Sequence, residues 1–329
     1  MRLPPFDYAE PKSLAEALTL KGEHQEAAKV LAGGTEAMVQ MKLRLTEPKV
    51  VMNIKKIPGM SGLEEKGEEI VIGANTSLKE IAGSGLIKEK AGAVAEAARL
   101  VASPTIAAMA TMAGNILQNT RCMYYDQSAI VLSGLEKCYK RGGRICLALK
   151  GSNRCFSVYQ GDIAPALMAC GGKVVLEKAG GTRTIPLENL FTGNGVNPLA
   201  IASDEILTRV ILPKPKGAFA SAYRKLRIRG SVDYPLTAAA AFIALTPDQK
   251  INAARIVIGA AGPAPRIVEH TLQGKSLHEA ELNAVADQAY SLSEGVDNLT
   301  MPGAYRRKMV RVFTKRAILG AFQALKGGF

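Results

Sequence analysis

Tryptophan is absent from the 329-residue chain, and 9 tyrosines and 8 phenylalanines bring the aromatics to only 5%. A protein that grips single-stranded nucleic acid needs a row of aromatic faces for its bases. No nucleic-acid partner is therefore expected, despite a net charge of +13. Histidine is almost as scarce. His24, His270 and His278 lie in unrelated contexts, and none is assigned chemistry. Long apolar runs are missing too: the stretches Tyr234 to Pro247 and Ile163 to Gly172 fall short of the roughly 18 to 20 residues that a helical membrane span requires. The start of the chain, Met1-Arg2-Leu3-Pro4-Pro5, runs at once into Asp7, Glu10 and Lys12 without the apolar segment of a secretory signal. A cytoplasmic location without a membrane span is the expectation.

What is present is ordinary for an ordered protein: 47% hydrophobic and 22% charged residues, with 32 Gly and 16 Pro. The length favours two or three compact units, with no internal repeat and no low-complexity tract. The excess positive charge includes clusters at Arg224 to Arg229 and Arg306 to Lys315, and suits anionic cofactors or acidic subunits.

Three blocks follow from periodicity and punctuation. In residues 1–57, Ser13 reads as the N-cap of a helix with Leu14, Ala17 and Leu18 on one face. A strand from Lys29 to Ala32 then runs through Gly33-Gly34-Thr35 into a helix from Glu36 to Arg44. Residues 58–215 open with the strand Glu69 to Ala74 and continue with an Ala-rich helix from Ala91 to Leu100. A polar, turn-rich region from Ser103 to Tyr159 follows. Pro213-Lys214-Pro215-Lys216-Gly217 reads as a linker, because each proline also disfavours helix in the residue before it. Residues 216–329 alternate strands at Phe219 to Leu226, Ala238 to Leu245 and Ala254 to Gly259 with helices at Ser276 to Glu294 and Tyr305 to Leu325. The fold class expected is α+β.

Two glycine-containing runs suggest anion binding. Leu31-Ala32-Gly33-Gly34-Thr35-Glu36 joins a strand to a helix, where free backbone N–H groups and close approach favour a pyrophosphate. Ala110-Thr111-Met112-Ala113-Gly114-Asn115-Ile116 again combines small residues with hydroxyl and amide groups. Neither matches the Rossmann or P-loop pattern, and either one alone also reads as a tight turn. Together they suggest two loops closing on one diphosphate.

Four of the 5 cysteines fall within 34 residues as C-x15-C-x7-C-x8-C: Cys122, Cys138, Cys146 and Cys155, among Arg121, Lys137, Lys140, Arg141, Arg144 and Arg154. Core cysteines rarely cluster in this way, and a reducing compartment disfavours disulfides, so metal ligation is the better use of four thiols. Spacing alone leaves an iron–sulfur cluster, a zinc ion and free thiols open, since neither zinc knuckles nor ferredoxin spacing is present. Cys170, in an apolar stretch, reads as a buried structural thiol.

These motifs, together with Asn119-Thr120-Arg121-Cys122-Met123-Tyr124-Tyr125 and Asp162-Ile163-Ala164-Pro165-Ala166-Leu167, resemble the FAD-binding medium subunits of the xanthine dehydrogenase and carbon monoxide dehydrogenase family from end to end. The cysteine segment makes the chain most similar to the 4-hydroxybenzoyl-CoA reductase branch. The resemblance implies a two-subdomain FAD-binding fold of the vanillyl-alcohol-oxidase type (1–57 and 58–215, with an insertion at about 119–158), followed by a C-terminal α+β domain (216–329). It implies that Leu31, Ala32, Gly33, Gly34, Thr35 and Glu36, with Thr111, Met112, Ala113, Gly114 and Asn115, hold the FAD pyrophosphate. Gln118 joins this cofactor-binding set. Asp162 would bind the ribose or adenine end, and Lys225 would lie near the flavin; read alone, Asp162 also suits a helix cap and Lys225 a solvated charge.

The resemblance further implies a 4Fe-4S cluster on Cys122, Cys138, Cys146 and Cys155, and no catalytic residue in this chain. Expected partners are a large molybdenum-cofactor subunit, a small subunit with 2Fe-2S clusters and an external carrier such as a ferredoxin, in a heterohexamer built as a dimer of heterotrimers. In that branch the complex removes a phenolic hydroxyl from an aromatic CoA thioester in anaerobic aromatic degradation. Other expectations are the flavoprotein subunit of an aldehyde or N-heterocycle hydroxylase and, from another class, a zinc-stapled basic scaffold. Ala113 departs from the family's Thr-x-Gly-Gly-Asn pattern; if its position needs positive φ, alanine costs about 1 kcal/mol.

Overall fold

The computed structural model describes residues 2–326. Strand β1 (Asp7–Ala9) leads into helix α1 (Leu14–His24), whose N-cap Ser13 accepts a hydrogen bond from Glu16 N–H and which buries Ala17 and Leu18. Strand β2 (Ala28–Leu31), helix α2 (Ala37–Lys42) and strand β3 (Val50–Asn53) complete a three-stranded parallel sheet in the order β1-β3-β2. The second helix is shorter than expected. It ends before Arg44, which stands at φ 58° outside the helical region.

A five-stranded antiparallel sheet follows, in the order β4-β5-β8-β6-β7: Leu63–Lys66, Glu69–Gly73, Lys173–Lys178 (β6), Gly181–Pro186 (β7) and Ile206–Pro213 (β8). Its inner residues Ile70, Ile72, Val174 and Val210 are fully buried, each such side chain stabilising the fold by roughly 1.5–3 kcal/mol. Seven helices are threaded between β5 and β6: α3 (Leu78–Gly83), α4 (Gly85–Lys90), α5 (Gly92–Leu100), α6 (Pro104–Met109), α7 (Met112–Ile116), α8 (Ala129–Ser133) and α9 (Ile163–Ala169). The region from Ser103 to Tyr159 is thus more helical than its polarity suggested. Pro213 closes β8, and Lys214 N–H still donates to the Glu68 carbonyl, so the chain leaves this sheet at Pro215–Gly217.

Strands β9 (Ala218–Leu226), β10 (Thr237–Leu245), β11 (Ile251–Gly259) and β12 (Arg266–Val268) form an antiparallel sheet. Helices α10 (Glu279–Leu292) and α11 (Gly303–Lys326) pack on it. The alanines of β10 explain how both faces are covered. Ala238 and Ala240 join the core shared with the preceding sheet, while Ala239, Ala241 and Ile243 join the core under α10 and α11. Successive strand residues face opposite ways, and small side chains let helices approach from both sides. Helix α9 is buried at all seven positions on one of those faces, as a helix apolar all round must be. No helix among the described residues is long and apolar enough to cross a membrane.

Candidate cofactor sites

The two glycine-containing runs meet. A Cβ on Gly33 would fall inside contact distance of the Met109 carbonyl and 3.0 Å from Ala110 Cα, so only glycine lets the first loop lie against the second. Gly34 stands at φ 73°, in the left-handed region that glycine occupies without penalty. Between the loops opens a cleft of about 1640 Å³, continuous with solvent, lined by Ala32, Gly33, Gly34, Thr35, Glu36, Thr111, Ala113, Gly114 and Gln118. Its enclosed part, about 510 Å³, lies within the roughly 300–1,000 Å³ of small-molecule pockets. Asn115 and Asp162 line an adjoining pocket of about 680 Å³ together with Thr35, Glu36, Gly114, Gln118 and Tyr234.

Unsatisfied polar atoms mark the cleft as a binding site. Thr46 Oγ1, Asn75 Oδ1 and Gln118 Nε2 are buried without a hydrogen-bond partner, and all three residues line it. Buried polar atoms left unpaired are costly, and a bound polar ligand would satisfy them. Two cations add to the anion preference. Lys21 and Lys29 line the same wall, with the amine of each pushed down chiefly by burial. Burial raises the Glu36 carboxyl, against the opposing pull of Arg121. The residues present therefore fit FAD.

Several expected residues take other positions. Leu31 and Met112 are not on the cleft wall; Met112 is fully buried in the core. Ala113 lies within α7 and is not among the positive-φ residues, so the departure from the family's glycine carries no backbone penalty. Thr111 caps that helix by accepting from Gly114 N–H at 3.1 Å. Asp162 makes no helix cap. Asn115 Oδ1 accepts the Ile163 N–H at 3.0 Å in its place, while Asp162 accepts from Tyr223 Oη–H at 2.7 Å and pairs with Lys225 Nζ at 2.9 Å. Lys225, with a side chain 1% exposed, is no solvated charge: it stands behind Asp162 and not on the cleft wall. The sequence reading missed Thr46, Asn75, Lys29 and the segment Leu199 to Leu207, which supplies the far wall.

The four clustered cysteines also come together. Cys122, Cys138, Cys146 and Cys155 line one pocket with Tyr124, Tyr125, Lys140 and Ser157. Two local devices bring them there. Arg121 and Val158 exchange backbone hydrogen bonds of 2.7 and 2.8 Å, placing Cys122 near Cys155. A tight loop, in which Tyr139 N–H donates to Ile145 O at 2.8 Å and Gly143 N–H to Cys138 O at 2.9 Å, holds Cys138 beside Cys146. A Cβ on Gly143 would overlap the Lys137 carbonyl, and one on Gly195 would lie 2.8 Å from Cys155 Sγ. Gly195 therefore packs directly against Cys155, a contact that sequence reasoning did not find.

Burial pushes the Cys122 thiol up to about 12, and the neighbouring thiols add to it. Such a thiol stays protonated unless a metal takes the place of the proton. Among the described residues, no group of three or more His, Cys, Asp or Glu side chains is disposed to hold a metal ion; what the four thiols share is the lining of one pocket. Four thiols in one pocket are a donor set that an iron–sulfur cluster and a zinc ion both accept. Cys170 lies apart, buried, with its thiol pushed up to about 11 by burial and donating to Ser221 Oγ at 3.7 Å.

Residues 4–215 match the family model for the FAD binding domain in molybdopterin dehydrogenase, and residues 221–321 match that for the CO dehydrogenase flavoprotein C-terminal domain. The chain belongs to this family. It is an FAD-binding oxidoreductase subunit of the molybdenum hydroxylase type. The carbon monoxide dehydrogenase medium chain of Hydrogenophaga pseudoflava is 27% identical, over 97% of this chain and 98% of that one. The nicotine 6-hydroxylase medium subunit of Paenarthrobacter nicotinovorans is 26% identical, over 98% and 99%. In three dimensions the chain is similar to a carbon monoxide dehydrogenase structure from Hydrogenophaga pseudoflava that lacks the Mo-pyranopterin moiety, with TM-score 0.82 and 25% identity over 99% of this chain and 100% of that one. The FAD-binding and C-terminal flavoprotein folds are thus those expected.

Proposed function

We propose that this chain is the electron-transfer subunit of a 4-hydroxybenzoyl-CoA reductase-like enzyme, holding FAD in the glycine-loop cleft and a 4Fe-4S cluster on Cys122, Cys138, Cys146 and Cys155. The observation that carries the finer reading is the pocket common to all four thiols. FAD and the cluster, when bound, supply two-electron and one-electron transfer; the chain's own residues bind and orient them and exclude water. Gly33, Gly34, Thr35, Thr111, Gly114 and Gln118 would hold the FAD pyrophosphate region, with Asp162, oriented by Lys225 and Tyr223, toward another part of the cofactor.

Substrate chemistry belongs to a molybdenum subunit, with a small 2Fe-2S subunit completing a heterotrimer that pairs into a heterohexamer in the cytoplasm. An acidic carrier such as a ferredoxin suits the +13 charge. The domain division 1–57, 58–215 and 216–329 belongs to the same proposal. The aldehyde and N-heterocycle hydroxylase reading makes no use of the four thiols.

The test is purification of the native complex without oxygen, followed by its absorption spectrum and identification of the co-purifying subunits. Flavin bands plus a broad, bleachable iron–sulfur absorption, with reduction of a phenolic CoA thioester, are expected. A flavin-only spectrum with oxidation of an aldehyde or N-heterocycle would favour the ordinary hydroxylase.

A further inference from the structure

One charged side chain in the thiol pocket is left unexplained by ligation. Lys140, two residues after Cys138, reaches back into the pocket wall beside all four cysteines. Its ammonium donates to Asn119 Oδ1 at 2.8 Å, Thr120 O at 3.1 Å, Ser157 Oγ at 3.4 Å and Gly195 O at 2.9 Å, and also to Thr120 Oγ1. The Tyr125 ring centroid lies 5.0 Å away. These partners come from the segment before Cys122, the segment after Cys155 and the scaffold loop at Gly195. Lys140 thereby ties three separate stretches around the pocket.

All of those acceptors are neutral, and among the described residues no carboxylate forms an ion pair with Lys140. A half-buried ammonium without an opposite charge is unfavourable. The same pocket is lined by all four cysteines, so a cluster held on their sulfurs would supply the opposite charge. Four thiolates outweigh the positive charge of an oxidised cubane core, and reduction adds one more negative charge. A fixed cation beside the sulfurs therefore favours the reduced state, since net charge and hydrogen bonding near the cluster set its potential.

We propose that Lys140 is a positioning residue and built-in counter-charge for the cluster, raising its midpoint potential. This inference rests on the 4Fe-4S reading above.

The experiment compares wild type, Lys140→Met and Lys140→Arg as full-length chains in the native complex, purified without oxygen. Iron and sulfide per chain are measured first, then the midpoint potential by redox titration followed by low-temperature EPR. Lys140→Met is expected to keep its iron and to shift the oxidised-to-reduced ratio at least tenfold toward oxidised at fixed potential, about 59 mV lower for a one-electron couple. Lys140→Arg is expected to stay within threefold of wild type. An unshifted potential in an iron-replete Lys140→Met protein overturns the proposal. If Lys140→Met loses its iron, retention of iron and potential in Lys140→Arg still supports the counter-charge, whereas loss in both overturns it in favour of a purely structural lysine. Absence of iron from the wild type would instead refute the cluster reading.

Discussion

Arg121 Nη1 stands 3.6 Å from Glu36 Oε2, joining the residue before the first clustered cysteine to the end of the first glycine loop. The same guanidinium stacks 4.3 Å above the Tyr234 ring and donates to its hydroxyl at 3.3 Å. Arg121 thus touches both glycine-loop and C-terminal walls of the adjoining pocket. It is one direct physical link between the two candidate cofactor sites, alongside the Lys140 hydrogen bond to Asn119.

Replacement of Arg121 by Met should lower FAD occupancy and thermal stability. Glu36 is half-buried, with its carboxyl raised by desolvation and lowered chiefly by Arg121. A carboxyl whose folded pKa is raised contributes stability below its unfolded value and loses it as pH rises through the folded one. Without Arg121 the ionised Glu36 is worse off, so the stability deficit of Arg121→Met should be greater at pH 8 than at pH 5. Thermal unfolding at both values checks this; an equal deficit would mean that Glu36 does not feel the guanidinium.

Gly33→Ala and Gly195→Ala should separate the two sites. The first forces the loops apart at Met109 and should release flavin while sparing iron; the second crowds Cys155 Sγ and Ser157 and should do the reverse. Flavin released on denaturation and iron per chain are the readouts. Loss of both cofactors from either variant would show that the sites form and fail together.

Lys225 and Asp162 form a pair with side chains 1% and 4% exposed. Removing one partner from such a pair typically costs about 3–5 kcal/mol, because the other charge stays buried alone. Lys225→Met should therefore destabilise strongly, and Lys225→Met with Asp162→Asn should recover a large part of the loss. Denaturant unfolding of the single and double variants measures the coupling. Lys225→Met should lose flavin as well, through the displaced Asp162.

How much of this was visible in the sequence depended on whether the signal was local. The Ala-rich β10 is almost uninterruptedly apolar and the strands beside it are rich in small and apolar residues, and the structure places all three within three residues of the expected positions. The glycine loops and the cysteine quartet are compositional clusters, legible without tertiary knowledge. Asn75, Thr46, Gly195 and the Leu199 to Leu207 wall are single residues or plain strand approaches with no local mark, brought to the cleft or the thiol pocket only when the sheets close. Asp162 and Lys225 were both read as cofactor contacts. Their separation in sequence concealed that β9 brings the lysine behind the aspartate, where they neutralise each other.

The most direct test of the account is metal and flavin analysis of the chain and its five single Cys→Ser variants, all purified without oxygen. FAD should accompany roughly four iron and four sulfide per chain in the wild type. Cys122→Ser, Cys138→Ser, Cys146→Ser and Cys155→Ser should each lose iron while keeping most of their flavin, and Cys170→Ser should keep both. Bound zinc in place of iron, iron loss on Cys170→Ser equal to that of the others, or no loss from the four would contradict the cluster assignment.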